Sequence, residues 1–282
     1  MAWGFPQAIF VLSTVMNLKY LLGVLLALPL SPLMYYQGKK IKASLPDLPE
    51  ATQPEGFVSV DGSSQSAIRL LCLGESTIAG VGVKTHQEGF TGSLARELAQ
   101  RFKRKVNWKV FAKSGFNARQ VHKQLLPIVE DVDVDIIVVG LGGNDAFELN
   151  SPGKWRKDVQ QLIEKLMIRF PGAPIVFCNM PPIKMFPAFT ALLKFTIGNL
   201  VELLGHELND LVQEYPPVFY NQEIITLENW SKKHQIYQEE ETYFCDGVHP
   251  SKLTYQVWAK EMAQLIETDD RLKRLLLEKI NS

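Results

Sequence analysis

The sequence predicts an α/β protein built on one parallel sheet with helices on both faces. Three observations carry this. Short apolar runs at residues 68–73, 108–112, 135–141, 174–178 and 217–220 alternate with longer stretches whose apolar residues recur at helical spacing. The clearest run, 135–141, is unbroken and β-branched rather than alternating, as strands covered on both faces tend to be. The chain of 282 residues can bury one large core with appendages.

Residues 1–37 carry a single charged side chain, Lys19. The densest apolar part, residues 20–36, is about 17 residues long, the short end for a spanning helix. Pro29 and Pro32 would bend it, and Tyr35 and Tyr36 stand as an interfacial belt before Lys39, Lys40 and Lys42. Residues 1–42 therefore read as a membrane anchor, one span or a shallow hairpin, with a buried core helix as the alternative. The lysines after the segment place the globular part on the cytoplasmic side. A weak charged start and no small-x-small site disfavour a cleaved signal peptide. Residues 43–66, rich in Pro, Ser, Gly and acids, read as a linker, and 67–282 as the globular domain.

Within that domain the first strand stops at Gly74, and Ser76 follows two residues later. Residues 88–105 place Phe90, Leu94, Leu98 and Phe102 on one helical face. Residues 117–126 and 152–170 are predicted helical. A last long helix covers 253–265, extended by 271–280. Between the fourth and fifth strands, residues 180–189 are strongly apolar. Met185, Phe186 and Phe189 are candidates for the wall or lid of an acyl-chain site, against the alternative of a plain core helix.

Lys plus Arg equals Asp plus Glu, and no basic stripe is interleaved with aromatics, so nucleic acid is not an expected partner. Cys72, Cys178 and Cys245 form no disulfide or zinc spacing, and His86, His122, His206 and His234 show no paired metal spacing. Gly80-Val81-Gly82 lacks the remainder of a nucleotide-binding motif. No metal site is expected from these spacings.

Four short motifs stand at strand ends or before the last helix: Gly74-Glu75-Ser76, Ser114-Gly115-Phe116-Asn117, Gly142-Gly143-Asn144-Asp145 and Asp246-Gly247-Val248-His249. In a parallel sheet the strand ends share one edge, so residues far apart in sequence converge there. Acyl transfer to a serine needs a base, an acid that fixes the base's tautomer, and donors for the oxyanion. His249 and Asp246 suit the first two needs for a nucleophilic Ser76. The N–H groups of Ser76 and Gly115 and the Asn144 amide suit the third. Each motif alone has a dull reading as a turn or helix cap.

The ordered set resembles the SGNH, or GDSL-type, esterase and lipase superfamily over about residues 67–266. The resemblance implies a flavodoxin-like three-layer α/β/α fold on a five-stranded parallel sheet, serine hydrolysis of esters or thioesters, and no cofactor. It departs at Glu75, where the superfamily usually has Asp; altered loop packing with retained chemistry is expected. With the anchor and the apolar 180–189 stretch, the expected substrate is a lipid-like ester: a lysophospholipid, monoacylglycerol or acyl thioester. The rivals are an esterase that deacetylates sugars or envelope polymers, and a non-catalytic membrane-anchored module. The oligomeric state is not legible.

Overall fold

Six strands pair into one sheet in the computed structural model, which describes residues 18–61, 66–129, 133–236 and 239–282. They are β1 (Glu55–Val58), β2 (Ile68–Gly74), β3 (Val106–Ala112), β4 (Ile136–Gly140), β5 (Ile175–Phe177) and β6 (Val218–Tyr220). Their order is β1-β3-β2-β4-β5-β6, with β2 to β6 parallel and β1 antiparallel at the edge. The five parallel strands alone give the order 2-1-3-4-5, the flavodoxin-like doubly wound arrangement. Every residue of β4 and β5 is buried, which is why those stretches read as continuous apolar runs.

The expected five-stranded sheet gains its sixth strand from the stretch read as a linker. Glu55-Gly56-Phe57-Val58 is short, polar-edged and follows Pro54, so nothing local marks it as a strand. Tertiary contacts decide. Gly56 lies flat on Trp108, where a Cβ would come within 2.5 Å of the indole. The Lys105 ammonium sits 4.5 Å from the centroid of the Phe57 ring, and Glu55 pairs with Lys109 at 3.6 Å. The residues before it are bonded too: Ala51 N–H donates to Ala79 O (2.9 Å), and Thr52 N–H to Lys84 O (3.0 Å). Residues 51–58 are thus bonded to the sheet and to the loops at its rim.

The helices are α1 (Leu18–Ala27), α2 (Ser31–Ser44), α3 (Phe90–Phe102), α4 (Ala118–Gln120), α5 (Gly143–Phe147), α6 (Pro152–Arg169), α7 (Ala191–Val212), α8 (Leu227–His234), α9 (Lys252–Thr268) and α10 (Asp270–Ile280). α3 packs against α9, and α6 against α7 and α4. In α3 the predicted stripe is real, with Phe90, Leu94 and Leu98 fully buried. The predicted 117–126 helix winds differently. α4 loosens into a π turn (Val121–Leu125) and then a 3-10 turn (Leu126–Ile128), because Pro127 has no N–H to continue the helical ladder. The extension of the last helix is a separate element: α9 stops at Asp269, whose carboxylate accepts from Leu272 N–H (2.9 Å) and caps α10. α8 was not legible, since it buries only Trp230.

The expected anchor lies partly outside the described residues, which begin at residue 18. α1 and α2 are bent by 79° around Pro29, and among the described residues no single helix is long and apolar enough to cross a membrane. Tyr20, Ala27, Met34 and Ile41, seven residues apart in turn, form the seam of the pair on the body. On the same face of α2, Gln37 Oε1 accepts a hydrogen bond from Thr190 Oγ1 (2.8 Å).

Candidate active site

The register of the sheet brings the first three motifs to one rim. Gly74 at the end of β2 lies opposite both Ala112 of β3 and Gly140 of β4. Only glycine fits here: a Cβ on Gly74 would sit 2.2 Å from Gly140 O. The chain then turns over residues 75–82, with Ala79 N–H on Glu75 O (2.8 Å) and Val81 N–H on Ser76 O (3.1 Å). Ser76 is half-buried at the start of this turn.

The imidazole is held firmly. Asp246 Oδ2 lies 2.7 Å from His249 Nδ1, and its Oδ1 accepts from the N–H groups of Val248 (2.9 Å) and His249 (2.7 Å). One carboxylate therefore shapes the turn and orients the ring. Burial pushes Asp246 up, but these hydrogen bonds outweigh it and hold the group below its ordinary value. Gly247 permits the turn at φ +87°, and Gly247 O accepts from Ala188 N–H (3.1 Å). Nδ1 being occupied, Nε2 is the ring nitrogen left for proton transfer. The turn faces the serine loop: Tyr255 Oη donates to Val81 O (2.7 Å), and Gly82 packs on Cys245. Thr77, beside Ser76, lines one small cavity with Val248 and Pro250, which flank His249. Among the described residues Ser76 Oγ makes no hydrogen bond to His249.

Gly115 adopts φ +85° and is exposed, with open space where a Cβ would be. Among the described residues neither Ser76 N–H nor Gly115 N–H has an acceptor, so both are free to meet an anion. Asn144 is at the rim but engaged: its Nδ2 donates to Glu75 Oε2 (2.6 Å) and to Phe116 O (3.2 Å). Serving an oxyanion would require one of these bonds to be exchanged.

Glu75 is the residue whose role the sequence hid, although its departure from the usual Asp marked the position. Its carboxylate accepts from Gly143 N–H (2.8 Å), Asn144 N–H (2.9 Å) and Asn144 Nδ2, joining the first motif to the third. Asp145 joins the third to the second, accepting from Ala118 N–H (2.9 Å) and Asn150 Nδ2 (2.8 Å). Glu50, in the stretch read as a linker, braces the loop of Gly115 by accepting from Ser114 N–H (2.7 Å).

Burial raises Glu75 from 4.5 to about 7, against the three N–H donors, and nearby Asp145 raises it further. The folded state therefore keeps a proton that the unfolded chain gives up above pH 4.5. This contribution to stability is complete below pH 4.5 and is lost as pH rises through about 7. The shift corresponds to about 3 kcal/mol. In urea titrations between pH 4 and 8, wild type should lose roughly that much relative to Glu75→Gln, which cannot ionise. Parallel pH profiles for the two proteins would refute the assignment.

The expected substrate residues divide. Met185 and Phe186 line the small cavity of about 40 Å³ beside Thr77, with Trp230 and Val248. Phe189 packs between Phe147 (5.9 Å) and Phe186 (5.4 Å), and Phe186 in turn meets Phe244 (5.5 Å). These four rings run from the end of α5 to the start of the Asp246–His249 turn. A second cavity of about 200 Å³ lies across Pro181, Pro182 and Met185, between that loop and α7.

Comparison with known proteins finds the same fold elsewhere. Solved structures with the same fold include a member of the lipolytic protein G-D-S-L family from Veillonella parvula (TM-score 0.54, 15% identity, covering 71% of this chain and 99% of that one). They also include the lipase Lip_vut3 from a goat rumen metagenome (0.53, 19%, 70% and 96%) and a family 3 carbohydrate esterase from Clostridium thermocellum (0.54, 16%, 74% and 99%). A sequence search of the curated proteins finds no match. Residues 72–257, more than half of the chain and all four motifs, match one family as a whole, and the protein belongs to it: the GDSL-like Lipase/Acylhydrolase family.

Proposed function

We propose that the protein is a serine hydrolase of lipid-like acyl esters or thioesters, with Ser76 as nucleophile, His249 as base and Asp246 as its orienting acid. Ser76 Oγ attacks the acyl carbon while its proton passes to His249 Nε2. The N–H groups of Ser76 and Gly115, with Asn144 once its amide is released, stabilise the oxyanion. The imidazolium then protonates the leaving alcohol or thiol, and water repeats the sequence on the acyl-enzyme. The observation that carries this reading is the Asp246–His249 pair at 2.7 Å beside an apolar cavity that also reaches Thr77, next to the serine.

The apolar lining supports an acyl chain over an acetylated sugar, whose hydroxyls would find few partners there. The test is kcat/KM on p-nitrophenyl esters of increasing length. Each methylene taken into the cavity contributes about 0.8 kcal/mol, so two or three give roughly 15- to 60-fold over acetate. A profile that is flat or peaks at acetate favours the deacetylase. A membrane anchor in residues 1–42, with the domain on the cytoplasmic side, belongs to the same proposal. It is supported by the apolar sequence and the lysines that follow it.

A further inference from the structure

The outer face of the N-terminal helix pair has no protein partner among the described residues. Leu18, Leu21, Leu22, Leu25, Leu26 and Leu28 are each more than half exposed, and Tyr35 and Tyr36 follow at 74% and 64%. A continuous apolar patch of this kind on a folded chain marks a contact surface. Its charge is one-sided. Lys19, Lys39, Lys40 and Lys42 lie on or beside it, and the first carboxylate of the chain is Asp47. Apolar side chains edged by lysines, with no acids, match an anionic lipid surface. The 79° bend lets both helices lie along such a surface.

The other face of the pair leads to the catalytic turn. Gln37 bonds Thr190, which begins α7. Two residues earlier, Ala188 N–H donates to Gly247 O, inside the turn that carries Asp246 and His249. Between them Phe189 joins the ring series over the site. The element suited to lipid is therefore bonded to the loop beside the acyl cavity.

We infer that α1 and α2 seat the protein flat on an anionic lipid surface with the 185–190 loop at the contact, so that the ester enters from the lipid and not from solution. The route of entry rests on the hydrolase proposal; the surface contact stands independently of it.

The test uses the full chain and three readouts. These are flotation with vesicles of phosphatidylcholine and phosphatidylglycerol, turnover of a monoacylglycerol held in those vesicles, and turnover of soluble p-nitrophenyl butyrate. The combined variant Leu22→Glu, Leu25→Glu, Leu26→Glu should float at least about tenfold less well and lose vesicle-borne turnover in proportion, with soluble turnover unchanged. Gln37→Ala should float as wild type but lose vesicle-borne turnover about three- to tenfold, soluble turnover again unchanged. Undiminished flotation of the leucine variant overturns the surface contact. So does a wild type that ignores vesicles but forms a dimer which that variant splits, since the face then belongs to a second copy. Wild-type vesicle turnover in Gln37→Ala overturns the coupling to the loop. If flotation behaves as expected while neither ester is cleaved, the hydrolase proposal and the entry route fail and the surface contact remains.

Discussion

Ser76→Ala should lower p-nitrophenyl ester turnover by about 10⁴-fold or more and abolish labelling by a fluorophosphonate probe. The fold should not notice. Ser76 holds the turn through its backbone carbonyl, which accepts from Val81 N–H and remains in the variant. Thermal unfolding should therefore match wild type, which separates lost chemistry from lost structure. His249→Ala should cost about as much, because nucleophile and base act as a unit and the second deletion removes little more. That Ser76 Oγ and His249 are not hydrogen-bonded at rest does not weaken the expectation, since such contacts tighten when substrate closes the site. Persistent labelling in Ser76→Ala would place the nucleophile elsewhere.

Asp246→Asn carries the second large effect, about 10³- to 10⁴-fold in kcat/KM. The side-chain oxygen of the substituted amide can still accept from Val248 and His249 N–H, so the turn survives. The amide nitrogen then faces His249 Nδ1 and donates to it. The ring's own proton is forced onto Nε2, the atom that has to take the proton of Ser76. The variant should fold, still expose Ser76 to the probe, and label much more slowly. Activity within tenfold of wild type would mean that Asp246 shapes the turn without governing the tautomer.

Much of this was legible because it is local or repeats at a fixed period. The apolar runs 68–73 and 135–141 and the Phe90–Leu94–Leu98 stripe declare themselves through burial. The Asp246–His249 pair declares itself through a three-residue spacing that a single turn can close. What was hidden depends on partners distant in the chain. β1 exists because Gly56 can lie on Trp108, and no window around residue 56 contains that fact. Glu75 reads as a substitution beside the serine; its work is done on backbone N–H groups 68 and 69 residues away. The engaged state of Asn144 follows from Glu75 and from the Phe116 carbonyl, so residue type alone suggested a freer donor than the fold provides.

Between α2 and β1 the chain is pinned to the body at Glu50, Ala51 and Thr52, and this sets a working distance. An unstructured stretch of 24 residues, the length of 43–66, would act as a leash with an r.m.s. reach of roughly 25–30 Å, letting the rim of the sheet sample a thick shell around its point of attachment. Here residues 50–52 of that stretch are stapled to the loops at residues 79–86 and 113–114. With the helix pair resting on lipid, as proposed, the rim would stay close above that layer, within reach of what lies in it rather than of polymers standing further away.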